Sequence, residues 1–289
     1  MVYLNGSFLP AGQATVSVMD RGFLFGDGVY EVIPVYSRRP FRLAEHLRRL
    51  QASLDGIRLI NPHTDEEWAS LIGRIVETGE SEDQSIYVQV TRGPMAVRNH
   101  AFPKTVTPTV LIMGEALVTP PAQQREQGIA AISAVDIRWL RCNLKVTSLL
   151  ANCLLRQAAI DADCVETLLF RDGCLTEGAA SNIFVMKDGT LLGPPKNHLM
   201  LAGITYDVVL EIAAARGLPY HVRPIRDEEV RAADEVWMTS STKEVLPIVT
   251  LDGKPVGTGR PGPAFERMHG WYQDFKRDVM RGGDGRDPA

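Results

Sequence analysis

Lys145 stands between Leu144 and Val146 in the stretch Asp136-Ile137-Arg138-Trp139-Leu140-Arg141-Cys142-Asn143-Leu144-Lys145-Val146-Thr147-Ser148, at the exit of a strand-like segment and ahead of a helical pattern that opens at Ser148. That placement delivers a primary amine to an interior edge, where an ammonium ion is poorly solvated. Desolvation disfavours the charged form, lowers a lysine pKa and frees the nucleophilic amine. The alternative for any such lysine is to snorkel its head to water along its apolar stem. The stretch by itself leaves both open.

Further along, Leu175-Thr176-Glu177-Gly178-Ala179-Ala180-Ser181-Asn182 sets a glutamate in a small-residue loop between two strand patterns, where something flat can approach the backbone. A buried amine and a buried carboxylate on neighbouring loops are what pyridoxal 5′-phosphate needs, the one to hold its aldehyde and the other to keep its pyridine nitrogen protonated. With Arg21-Gly22-Phe23-Leu24-Phe25-Gly26-Asp27-Gly28-Val29-Tyr30-Glu31 near the start and Gly203-Ile204-Thr205 later, the pair resembles the fold-type IV aminotransferases that use this cofactor, and within them the D-amino-acid transaminases. The resemblance runs from Tyr3 to Leu251. It implies a two-domain α+β / α/β fold and a homodimer with active sites near the subunit boundary. It also implies transamination between a D-amino acid such as D-alanine and a 2-oxo acid such as 2-oxoglutarate. Lys145 is then the catalytic lysine and Glu177 the partner of the ring nitrogen. Branched-chain L-aminotransferases, (R)-amine transaminases and aminodeoxychorismate lyases share the fold and stay open as alternatives. A protein that merely carries the cofactor would need neither Glu177 nor a carboxylate trap.

A 5′-phosphate calls for backbone N–H donors, hydroxyls and a cation. Helix starts supply aligned donors, and Gly203-Ile204-Thr205 lies at one. Ser240-Ser241-Thr242 follows a strand with three consecutive hydroxyls, and Arg49 would be a forked cation. On the residues alone these are also an ordinary cap, a turn and a solvated helix face. The resemblance implies that Arg49, Ile204, Thr205 and Ser241 bind the cofactor and that Tyr30 lies beside cofactor and substrate carboxylate. Family members often carry serines where this chain has Ala179 and Ala180, which leaves Ser181 as the hydroxyl of that loop. In Arg92-Gly93-Pro94-Met95-Ala96-Val97-Arg98-Asn99-His100, Gly93-Pro94 prevents a helix, and an extended segment turns Arg98 and His100 to one side. A guanidinium beside an imidazole holds a carboxylate through charge-assisted hydrogen bonds. The Arg-x-His pair resembles the substrate trap of the D-amino-acid transaminases, where the neighbouring subunit lends the loop.

At 289 residues, 45 % of them hydrophobic and 23 % charged, the chain can build two domains, each with its own core. A net charge of -4 and a pI near 5.9 give no reason to expect nucleic acid or an anionic membrane as partner. No apolar run approaches the roughly 20 residues of a spanning helix, and no signal-peptide pattern opens the chain, so a cytoplasmic location is expected. Cys142, Cys153, Cys164 and Cys174 fit no metal-ligand spacing; reduced thiols and no metal site are expected.

Periodicity predicts a hairpin about Asn5-Gly6, a strand from Val29 to Tyr36, and a helix with Leu43, Leu47, Leu50, Leu54 and Ile57 on its apolar face and His46, Arg49 and Ser53 on a polar one. A helix carrying Trp68 to Val76 and strands at Ile86–Thr91 and Thr109–Met113 complete an N-terminal α+β domain, 1–118. Pro120-Pro121 marks a linker, 119–125. The C-terminal α/β domain, 126–281, is expected to carry Lys145, strands at 129–135, 165–170, 182–186, 190–192, 235–239 and 245–251, and helices at 205–215 and 264–280. A further helix, capped by Ser148, would bury Leu149, Leu150, Cys153, Leu154 and Ala158. The tail 282–289 is expected to fray.

Overall fold

Asn5 and Gly6 adopt positive φ, 47° and 95°, so the chain reverses at once and β1 (Val2–Leu4) pairs with β2 (Ser7–Leu9). The computed structural model describes residues Met1–Gly282; the rest of the expected tail lies outside the described residues. The chain divides into two compact units, Met1–Val118 with Leu144–Leu149, and Thr119–Asn143 with Leu150–Gly282. No helix among the described residues is long and apolar enough to cross a membrane.

In the first unit a short helix, α1 (Arg21–Phe25), precedes β3 (Gly28–Tyr36) and β4 (Arg39–Pro40). Two helices follow, α2 (Leu43–Gly56) and α3 (Asp65–Thr78), then β5 (Gln84–Thr91) and β6 (Thr109–Ala116). The six strands run in the order β2-β1-β6-β5-β3-β4, every pair antiparallel. Thr64 and Glu67 close a capping box on α3. In β5, Ile86, Val88 and Val90 are fully buried, the alternation of a strand with one face on the core. Against them pack Leu47, Leu50 and Leu54 of α2 and Trp68, Ile72 and Ile75 of α3. The polar face of α2 is buried too: His46 and Ser53 are 0 % and 1 % exposed, because this face meets Glu31 and the Lys145 backbone.

The second unit opens with α4 (Ala122–Gln127), a helix that starts inside the expected linker, 119–125, and runs two residues past it. Pro121 is its N-cap, so Pro-Pro extends the chain only as far as the helix start. Then come β7 (Ile129–Val135), α5 (Leu150–Asp161), β8 (Glu166–Arg171), β9 (Cys174–Gly178), β10 (Asn182–Lys187) and β11 (Thr190–Gly193). After α6 (Ile204–Ala215) follow β12 (Tyr220–Val222), α7 (Asp227–Arg231), β13 (Glu235–Ser240), β14 (Glu244–Leu251), β15 (Lys254–Pro255) and α8 (Pro263–Phe275). Their mixed sheet has the order β12-β11-β10-β13-β14-β7-β8-β9, with β15 on β14. It is parallel at β14·β7, β7·β8 and β11·β12.

Four further expectations change. Lys145 does not belong to the second unit. Leu144 and Val146 enter the first unit's core, Val146 bridges Val29, and the Lys145 carbonyl accepts from Tyr30 N at 2.9 Å. Glu177 lies within β9 rather than in a loop, because residues 174–178 pair with β8. The α5 face is offset by one residue: Leu155 and Ala159 are buried, whereas Leu150 and Leu154 are 75 % and 57 % exposed. Ser148 gives its hydroxyl to the Gly26 carbonyl instead of capping the helix.

Leu50 is 1 % exposed in the cluster that ties α2 to the sheet. Leu50→Ala removes buried methyl groups and leaves a cavity, so it should cost about 2–5 kcal/mol, read as a lower urea midpoint at unchanged slope.

Candidate active site

In the first unit, the backbone brackets Lys145. Its N–H donates to Ser53 Oγ at 3.1 Å, and Thr147 hydrogen-bonds the Gly26 and Gly28 carbonyls. Leu144 and Val146 are buried while Lys145 is half-buried, and its Nζ lies 4.2 Å from the centre of the Tyr30 ring. The Tyr30 ring in turn stacks on Tyr87, centroids 5.6 Å apart.

Glu31, the neighbour of Tyr30, is fully buried and accepts three hydrogen bonds at 2.8 Å, from His46 Nδ1, Arg49 Nε and Arg49 Nη2. Burial alone would raise its carboxyl; the Arg49 guanidinium and the hydrogen bonds from Arg49 and His46 outweigh that and hold it well below the usual range. Burial pushes His46 down, with Glu31 opposing and Arg49 and Lys145 adding to the fall. A carboxylate only accepts, so His46 carries its proton on Nδ1, and its buried Nε2 has no hydrogen-bond partner among the described residues. Arg49, expected to be a phosphate cation, is thus oriented by Glu31 as a two-pronged ion pair.

Arg98 and His100 lie on the loop after β5, both exposed. They share the Phe25 ring, the Arg98 guanidinium at 5.0 Å and the His100 ring at 5.2 Å from its centre.

In the second unit, Glu177 is 5 % exposed and accepts from Arg138 Nη1, from Leu201 N at 3.2 Å and from Asn182 Nδ2 at 3.3 Å. Arg138 is itself gripped by Asp136, Nε to Oδ1 at 2.9 Å and Nη2 to Oδ2 at 2.8 Å. Burial pushes the Glu177 carboxyl up to about 7, with Arg138 opposing. Asn182 also donates to the Leu201 carbonyl at 2.9 Å, which ties Glu177 to the entry of α6. There Gly203 is the N-cap and supplies no side-chain acceptor to the first turn of Ile204 and Thr205, leaving that turn open to an anion. The glycine is required by close approach, since a Cβ would lie 2.1 Å from Asn182 Oδ1. Asn182 pairs with Thr239, so Ser240 and Ser241 emerge at the same end of the sheet as Glu177 and the α6 entry. Ser181 gives its hydroxyl to Glu166 at 2.6 Å, and Cys142 is buried, its thiol pushed up to about 11 by burial.

The fold therefore gathers Lys145, Tyr30 and, through Glu31, Arg49 in one unit; it gathers Glu177, Ile204, Thr205 and Ser241 in the other. Sequence reasoning assigned no site role to Glu31, His46, Arg138 or Asn182. Arg138 left a signal, two residues after Asp136 in a strand-like stretch, where alternation turns both side chains to one side.

The family model for amino-transferase class IV matches residues 28–251. The D-alanine aminotransferase of Bacillus licheniformis is 38 % identical over 267 residues, 92 % of this chain and 94 % of that one. Among solved structures, the branched-chain amino acid aminotransferase of Escherichia coli is similar with a TM-score of 0.88 at 26 % identity, over 99 % of this chain and 97 % of that one. A second branched-chain amino acid aminotransferase, from T.th. and holding pyridoxamine 5′-phosphate, gives 0.87 at 26 %, over 97 % and 94 %.

A carboxyl raised by burial favours the fold while protonated. Its stabilising effect is complete below its unfolded value, near 4.5, and is lost as pH rises through about 7. In the cofactor-free protein, the stability of wild type relative to Glu177→Gln should therefore fall between pH 4.5 and about 7 and stay flat above, as urea midpoints across that window will show.

Proposed function

The chain belongs to the class IV amino-transferases, and from that membership we propose that it exchanges the amino group of a D-amino acid, D-alanine foremost, with a 2-oxo acid, using pyridoxal 5′-phosphate. The observation that carries the reading is Lys145, a half-buried amine set between two core residues with its Nζ over the Tyr30 ring. The donor set fits the cofactor by its chemistry: an amine for the aldehyde, a buried carboxyl for the ring nitrogen, and an open helix start with neighbouring hydroxyls for the phosphate.

When bound, pyridoxal 5′-phosphate supplies an electron-poor ring that makes the hydrogen on the substrate Cα acidic. Lys145 Nζ is the amine that would hold the cofactor's aldehyde and, once free and neutral, would serve as the base for the substrate Cα proton. Glu177 favours a proton on the ring nitrogen by direct attraction, and Arg138, anchored by Asp136, supports the ionised carboxyl against burial. The Ile204 and Thr205 amides, the Ser241 hydroxyl and Arg49 would take the phosphate, Arg49 being oriented by Glu31, which His46 also holds. Arg98 and His100 take the substrate carboxylate, with Tyr30 beside it.

The relatives divide on the substrate, since the sequence relative at 38 % identity acts on D-alanine while the structural neighbour at 26 % is named for branched-chain amino acids. The higher identity and the Arg98-x-His100 pair support the D form. Mixing holoenzyme with D-alanine should convert the lysine-bound cofactor absorbance to that of the amine form, and L-leucine should leave it unchanged. Lys145→Ala should abolish the conversion. Conversion by L-leucine alone, or undiminished conversion in Lys145→Ala, rejects the reading.

The working unit we infer is a homodimer. Ile137, Trp139 and Leu140 are 60 %, 49 % and 62 % exposed, and Leu150 and Leu154 of α5 add a further apolar surface one turn long. Exposed apolar side chains in this density mark an interaction face. Sedimentation should give twice the chain mass of 31.9 kDa, and Leu150→Glu with Leu154→Glu should shift it toward one chain. A fully active wild-type monomer would exclude the dimer.

A further inference from the structure

Arg21 is 3 % exposed, yet no step above uses it. Its guanidinium is filled by an unusual set of acceptors. Nη1 donates to the carbonyls of Asn99 at 2.6 Å and Ala101 at 3.2 Å, and Nη2 to that of His100 at 3.1 Å. Nε donates to Asp27 Oδ2 at 2.7 Å, and Asp27 is fixed from its other side by Arg92. Three successive carbonyls thus converge on one planar fork, in a loop with no helix or strand ladder of its own. A guanidinium can do this because its five N–H groups lie in a rigid plane; an ammonium cannot.

The same short helix supplies a second anchor. Phe25 lies four residues after Arg21, one turn along α1, and its ring is the surface on which the Arg98 guanidinium and the His100 imidazole rest. The start of the loop is also tied here, Arg21 N donating to the Gly93 carbonyl and Met95 N to the Met19 carbonyl. The 93–101 segment is therefore held by α1 and its preceding turn, mainly through its backbone, with the Met95 sulfur as a further acceptor from Arg21 Nη1 at 3.6 Å.

We propose that Arg21 is a positioning residue for substrate carboxylate recognition: by clamping the carbonyls of Asn99, His100 and Ala101 it sets the direction of Arg98 and His100, with Phe25 as the ring they rest on. The selectivity of the enzyme for substrates that bear a carboxylate is then controlled from α1. The inference rests on the reading that Arg98 and His100 bind that carboxylate.

Arg21→Lys keeps the charge and can keep the Asp27 pair while losing the three-carbonyl fork. With holoenzyme, KM and kcat for D-alanine are measured together with the Kd of acetate, a carboxylate that cannot react, by calorimetry. Arg98→Ala is run beside it. Arg21→Lys should raise both KM and Kd about tenfold with kcat within about threefold of wild type, the signature of lost binding at intact chemistry. Added guanidinium should lower the raised KM of Arg21→Ala. Phe25→Leu, which leaves Arg21 in place, should raise KM and Kd in the same direction and serves if the Arg21 variants do not fold. If Arg98→Ala leaves KM and Kd at wild type, the carboxylate reading itself fails. If Arg98→Ala weakens both while Arg21→Lys and Phe25→Leu leave them unchanged, the positioning role of α1 is overturned alone. A proportionate loss of kcat in the Arg21 variants, with Kd for acetate unmoved, also overturns it.

Discussion

The bridge between Val146 and Val29 is the contact on which the chemistry of the first unit depends. It makes Leu144–Leu149 one more extended edge on β3, closed by the hydrogen bond from Tyr30 N to the Lys145 carbonyl and by the Thr147 contacts with Gly26 and Gly28. Alternation along an extended chain then does the aiming. Val29 and Val146 turn into the core, so Tyr30 and Lys145 turn the other way and meet, Nζ over ring. Apolar residues on both sides of the lysine give the segment a reason to be buried and the amine no means of leaving with them.

Two buried glutamates show how the same residue type is driven in opposite directions. Glu31 receives three hydrogen bonds, two of them from a guanidinium that is its own ion-pair partner, and stays ionised despite burial. Glu177 has an arginine that Asp136 already grips, and burial prevails over it, leaving a carboxyl raised to about 7. The first carboxylate is a fixed orienting charge for Arg49 and His46. The second is a carboxyl whose ionisation is set by the balance of burial against Arg138. Removing one partner from either cluster leaves a buried charge unmatched, which is far costlier than the pair is stabilising.

Local patterns by themselves settle much of this protein. Asn5-Gly6 specifies its turn through positive φ, the leucines of α2 specify one helix face, and the alternation in β5 specifies its core side, each because the cause lies within a few residues of the effect. Lys145 with apolar flanks, Glu177 among small residues and Gly203-Ile204-Thr205 at a helix start were legible for the same reason, and their order along the chain pointed to the family. The register of α5 was not, because two adjacent apolar stripes on a helix look alike until a sheet covers one of them. Nor was the burial of His46 and Ser53, whose polar face is paired by groups from β3 and from the Lys145 segment. Only the tertiary structure could assign Leu144–Leu149 to the first unit, tie Arg138 to Glu177 and set Arg21 under three carbonyls, because each of these is a hydrogen bond or strand pairing across a long sequence separation, decided by which backbone the fold brings alongside.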